Sequence, residues 1–113
     1  MMTANDWAGL TFFTPEEFSR PESMNVELMK MLDSARSIAG FPFVITSSYR
    51  EGDDGEHGRG LAVDFRIRGA AQREIAMLAC HKAGFKRLGM YNKHIHAGVD
   101  HTLPLGWWSG ESK

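Results

Sequence analysis

Residues 55–65, GEHGRGLAVDF, set His57 on a glycine-rich turn and Asp64 between Val63 and Phe65, in a run that reads as a strand. Further along, HIHAGVD sets His94 and His96 two positions apart. Side chains alternate across a strand, so Ala62, Asp64 and Arg66 share one face and Leu61, Val63, Phe65 and Ile67 the other. The same rule groups His94, His96, Gly98 and Asp100, and turns Ile95, Ala97 and Val99 to the core. A carboxylate buried without partners costs roughly several kcal/mol, so Asp64 requires a cation or good donors. If the two strands are neighbours, their polar faces line one cleft, and His57 can fold over it. Two imidazoles and a carboxylate make a recurrent ligand set for a catalytic zinc, and His57, Asp64 and one histidine of the H-x-H pair supply it. Such a zinc acidifies water and polarises a scissile carbonyl. The chemistry then needs a base for the water's proton and a cation for the oxyanion. Arg50, ending SSYR, suits the oxyanion or a substrate carboxylate.

Taken singly, each of these residues has a plainer reading. A lone histidine is more often a surface or satisfied core group than a ligand, and Asp64 can be the structural partner of Arg50. Two histidines and a carboxylate also form the triad of non-haem iron oxygenases, but those sites belong to larger all-β folds. Asp53, Asp54 and Glu56 read as solvated loop charges, although the loop's position lets one of them support a ligand. His81, His101, Arg66 and Arg68 read as surface groups, and Cys80, within a helical pattern, as a buried structural thiol.

The elements that must position these groups follow from periodicity. Thr14, Pro15 and Glu17 begin a short helix with a capping box. A second helix runs from about Met24 to Ala39, with Leu28, Met31, Leu32, Ala35 and Ile38 inward and Gly40 ending it. Strands follow at Phe43 to Thr46 and Leu61 to Ile67, separated by the polar loop REGDDGEHGRG. A third helix spans roughly Ala70 to Ala83, with Ala71, Ile75, Leu78 and Ala79 as its apolar face and Gly84 at its C-cap. KRLGMY and HIHAGVD read as two strands joined by a tight turn at Asn92-Lys93. The tail, with Pro104, Trp107 and Trp108, either packs back on the domain or borders a cleft. The order predicts an α+β fold, a small antiparallel sheet with flanking helices, as a single domain over residues 1–113.

At 24% charged residues and a net charge of −1, the chain carries no electrostatic footprint for nucleic acid. Its apolar runs are too short for membrane insertion, and MMTANDW lacks the features of a signal peptide. One cysteine excludes an internal disulfide. A monomer is expected.

Taken together, SSYR, H-G-R-G-L-A-V-D and H-I-H resemble the zinc D-Ala-D-Ala carboxypeptidase and L-alanyl-D-glutamate peptidase family, in its small phage-type members. Ser47, Tyr49 and Arg50 match the family's S-x-Y-R strand end, and His57, Gly60, Ala62 and Asp64 match its S-x-H-x-x-G-x-A-x-D segment. The resemblance implies zinc held by His57, Asp64 and His96, with Arg50, Ser47 and Tyr49 toward the substrate. It also implies the α+β scaffold shared with hedgehog signalling domains, and a substrate peptide bond in bacterial murein. Gly55 stands where the family has serine, and Lys93 where many members have an acidic base. Some members instead carry a histidine two before the last ligand, which here is His94, the expected base or electrostatic stabiliser. The implied role is cell-wall lysis by an enzyme made in the cytoplasm and released to the wall. A metal-stabilised wall-binding or virion module of the same fold is the non-catalytic alternative.

Overall fold

A computed structural model describes residues 1–111. The chain opens with a short helix α1 (Ala4–Ala8), whose Thr3 and Asp6 form a capping box. Next come two 3-10 turns, Pro15–Glu17 and Pro21–Ser23. In the first, Glu17 accepts from the Thr14 amide as the sequence predicts, but one 3-10 turn forms in place of a helix. Helix α2 (Val26–Ala39) starts where the Asn25 side chain accepts from the Leu28 amide at 2.9 Å and ends at Gly40, in the left-handed region with φ 80°. Strand β1 (Val44–Ser47) leads into the polar loop, which tightens into a 3-10 turn at Glu56–Arg59. Strand β2 (Ala62–Arg66), helix α3 (Ala70–Ala83) and strands β3 (Arg87–Tyr91), β4 (His94–Gly98) and β5 (Gly106–Gly110) complete the fold.

The five strands form one sheet in the order β1-β2-β4-β3-β5. The α+β class holds, with one correction. The tail is a fifth strand running parallel to β3, so the sheet is mixed and only its β1, β2, β4 and β3 portion is antiparallel. Helices α2 and α3 pack together and cover one face, where Leu28, Met29, Leu32, Met77 and Cys80 meet Val63, Phe65, Leu88, Ile95 and Ala97. Phe65 stacks on Phe43 at 4.0 Å between centroids.

The inward faces of both long helices differ from the periodic reading. In α3 the buried side chains are Ala76, Met77, Ala79 and Cys80, while Ile75 and Leu78 are exposed. The helix is rotated by about one residue, because close packing on α2 selects its small side chains rather than its largest ones. In α2, Met29 is buried and Ile38 exposed. Cys80 is buried as expected, and burial pushes its thiol up to about 12, which removes it from nucleophilic chemistry. Among the described residues, no helix is long and apolar enough to cross a membrane.

Candidate metal centre

The sheet face away from the helices carries the polar residues. Ser47 pairs with Asp64, Asp64 with His96, His96 with Gly89 and Gly89 with Trp108, so one row crosses all five strands. Asp64 and His96 therefore stand side by side, as the alternation of both strands requires once they are neighbours. A register shift between Ile45 and Ser47 brings Ser47 opposite Asp64.

His57 reaches the same point from the loop. The Arg50 amide donates to the His57 carbonyl at 3.0 Å, and the His57 carbonyl also receives the Gly60 amide. Gly60 ends the turn with φ 70°, and a Cβ there would lie 2.0 Å from the Ser23 carbonyl oxygen. Its own carbonyl accepts from the Asn25 amide at 3.0 Å, so the loop is locked against the start of α2. Gly58 has no room for a side chain either, since a Cβ would lie 1.8 Å from the Asp53 carbonyl oxygen.

One ligand atom from each of His57, Asp64 and His96 lies within 4.8 Å of the others. The Asp64 Oδ1 atom is 3.4 Å from His57 Nε2 and 2.9 Å from His96 Nδ1. Tetrahedral zinc with bonds of about 2.0–2.1 Å separates its ligand atoms by roughly 3.3–3.5 Å. The first spacing already matches. The second is a hydrogen bond that opens slightly on metal binding. The far nitrogen of each ring is also engaged, His57 Nδ1 with the Ser48 carbonyl at 2.8 Å and His96 Nε2 with Glu56 Oε1 at 2.7 Å. Ser48 and Glu56 hold the protons of the far nitrogens. A metal that displaces the proton His96 Nδ1 shares with Asp64 therefore finds one ligating nitrogen on each ring, and the donor set fits a metal.

The electrostatics agree. Burial works against both the Asp64 carboxylate and the His96 imidazolium, but each is overruled by the other and by His57 or Glu56. Asp64 is held well below the usual carboxylate range, and His96 is raised to about 9. Glu56 likewise overcomes burial, and His96 and Arg87 hold it at about 2. In the metal-free protein a proton on His96 thus occupies the negative site that a cation would fill.

Arg50 lies beside this group. Its Nε donates to Ser47 Oγ at 2.8 Å, and its terminal nitrogens make longer contacts to Asp53, at 3.4 Å, and Asp64 Oδ2, at 3.7 Å. Asp64 therefore meets both imidazoles through one oxygen and Arg50 through the other, so the Arg50–Asp64 pair and the metal cluster coexist. Ser47, Tyr49 and Arg50 line a groove of about 350 Å³ together with Glu17 and Ser19. Tyr49 itself faces Arg20, whose guanidinium lies 5.9 Å from the ring centroid. His94 shares the His96 face and stacks on Tyr91 at 4.3 Å between centroids. Burial lowers its pKa, Asp64 raises it, and His96 and His57 lower it further.

Two residues outside the expected set complete the centre. Glu56, one of three loop acids read from sequence as solvated charges with room for one of them to support a ligand, is 6% exposed and sits between His96 and Arg87. Arg87, 9% exposed, was given no role by its strand pattern. An arginine inside a buried strand signals a hidden acid partner, but nothing local says which acid. Trp108 borders the cleft, 5.5 Å from the His96 ring, and donates from Nε1 to the Tyr91 hydroxyl at 3.0 Å. It can lean over Gly89 because a Cβ there would lie 2.7 Å from its indole nitrogen.

No curated protein and no solved structure shows a significant match to the chain. The family model described as Peptidase M15 does match it, over residues 9–100, a span that includes His57, Asp64 and His96. A match over most of the length, with a metal-competent cluster inside it, means that the chain belongs to the peptidase M15 family of zinc-dependent metallopeptidases.

Proposed function

We propose that this protein is a zinc peptidase that hydrolyses a peptide bond in the stem peptide of bacterial murein, as a D-Ala-D-Ala carboxypeptidase or an L-Ala-D-Glu endopeptidase. The reading rests above all on two imidazoles that each turn one nitrogen toward Asp64 while the other is tied to Ser48 or Glu56. In this reading His57, Asp64 and His96 hold the ion. When bound, zinc supplies Lewis acidity toward the scissile carbonyl and toward water. Arg50 retains an exposed guanidinium whose contacts to Asp53 and Asp64 are long, so a substrate carboxylate or carbonyl oxygen can take their place. Ser47 orients that guanidinium through Nε. His94 accepts the water's proton on its ring and returns it to the leaving amine. The groove past Ser47 and Tyr49 takes the peptide, and Trp108 and Tyr91 wall the opposite side. The biological setting is phage-type lysis, with the enzyme made in the cytoplasm and acting as a monomer on the wall after release.

Two measurements test this. Protein purified without added metal should carry about one zinc per chain. Incubation with purified murein should then release peptides whose new termini, read by mass spectrometry, identify the bond. Iron in place of zinc, or zinc-loaded protein that binds murein and releases nothing, refutes the peptidase. The second of these outcomes supports a wall-binding module.

A further inference from the structure

Glu56 lies on the far side of His96 from Asp64 and is outside the cluster that can touch a metal. Its surroundings are nonetheless built around it. Oε1 accepts from His96 Nε2 at 2.7 Å and from the Arg87 terminal nitrogen at 2.8 Å, and Oε2 faces Arg87 Nε at 3.3 Å. The adjacent row of the sheet is Ala62, Gly98, Arg87 and Gly106. Gly98 is the seat on which the carboxylate rests, because a Cβ there would lie 2.2 Å from Glu56 Oε2 and 2.8 Å from its carboxyl carbon. Arg87 is fixed in turn by the Pro104 carbonyl and by the Trp108 ring, 4.9 Å from its guanidinium carbon. The Leu61 amide holds the Glu56 backbone through its carbonyl at 3.0 Å.

We infer that Glu56 is a positioning residue that fixes His96 with its proton on Nε2 and its lone pair on Nδ1, and that Arg87 and Gly98 exist at their positions to hold that carboxylate. An imidazole free to choose its tautomer presents an N–H to the metal part of the time. A carboxylate behind the ring removes that choice and makes the ligating nitrogen more basic. The inference rests on the metal reading above, but it is a statement about one ring and can fail separately.

The test compares zinc affinity, by competition with a chromophoric chelator, in the parent, Glu56→Gln and Gly98→Ala. Glutamine can still accept from His96 but carries no charge, so affinity should fall about 10- to 100-fold. Gly98→Ala changes no polar group and displaces the carboxylate, so it should fall in the same range. On the unaltered zinc-loaded protein, long-range proton–nitrogen NMR correlations should show His96 protonated at Nε2 and metal-bound at Nδ1. Variants within about twofold of the parent, or a His96 protonated at Nδ1, overturn the role of Glu56 and leave the peptidase reading standing. A parent protein that binds no zinc overturns both. If either variant fails to fold, the NMR tautomer alone decides.

Discussion

Removing the Arg87 guanidinium gives the sharpest test of how the centre is supported. Arg87→Met keeps an unbranched apolar stem in β3 and deletes the charge that faces Glu56 at 2.8 Å. Both partners are almost fully buried, at 9% and 6% exposure, so water cannot replace the lost partner. Breaking such a pair from one side costs about 3–5 kcal/mol, because a charge is left behind in a poor environment. Glu56 retains His96, which is cationic in the metal-free protein at neutral pH, so the expected loss lies near the lower limit, about 3 kcal/mol. A domain of this size has about 5–15 kcal/mol in total, and each kcal/mol moves its melting point by roughly 4 °C. Urea denaturation of the metal-free protein should therefore show a loss of about 3 kcal/mol, and thermal melting a fall of about 12 °C. Adding Glu56→Gln to Arg87→Met removes the stranded charge, so the double variant should be more stable than the sum of the two single losses allows. A single-variant loss under about 1 kcal/mol would place the pair among solvated surface bridges and refute the reasoning.

Other outcomes follow from the same geometry. Glu56 and Asp64 have folded pKa values below their unfolded ones, so their contribution is full above about pH 4.5 and is lost as pH falls toward 2. His96 is raised from 6.5 to about 9, so its contribution is full below 6.5 and is lost as pH rises through 9. Urea midpoints of chelator-treated protein should thus peak between about pH 5 and 6.5, and saturating zinc should abolish the alkaline decline; a flat alkaline limb without metal would contradict this. His94→Ala should lower turnover about 10²- to 10⁴-fold while bound zinc, measured by metal analysis, stays at the parental level. Loss of zinc would make His94 a ligand instead of a base. Gly60→Ala must adopt φ 70° with a Cβ 2.0 Å from the Ser23 carbonyl oxygen. It should lose about 2–5 kcal/mol in urea denaturation, and an unchanged midpoint would show that the loop is not locked to α2.

The parts of the centre that lie on alternating strands were legible from sequence, because alternation fixes a face without knowledge of partners. Asp64 and His96 needed only the additional fact that β2 and β4 are adjacent. The glycines around His57 were legible for a similar reason, since a tight turn leaves a local signature. Glu56 was not, because its burial depends on Arg87 from another strand and on the bare backbone of Gly98, both distant in sequence. In a loop that also carries Asp53 and Asp54, nothing marks it out. The α3 face was misread because Ile75 and Leu78 are its most apolar residues, whereas the packing surface is formed by Ala76, Ala79 and Cys80 with Met77. Strand β5 escaped notice because GWWSG has no alternation, and its parallel pairing with β3 is set by tertiary contacts.

The Trp108 wall and the metal-competent residues differ in how firmly the sheet anchors them. Asp64 and His96 lie on strands with a neighbour on each side, whereas β5 is an edge strand bonded only to β3. A substitution in β2 or β4 disturbs two ladders, and one in β5 disturbs a single ladder open to solvent. Sequence change therefore breaks fewer ladder hydrogen bonds in β5 than in the strands that carry Asp64 and His96. Descendants of this chain can vary exposed β5 positions such as Trp107 without reaching the metal-competent residues, whereas a change at Trp108 is felt through Arg87 and Glu56 at His96.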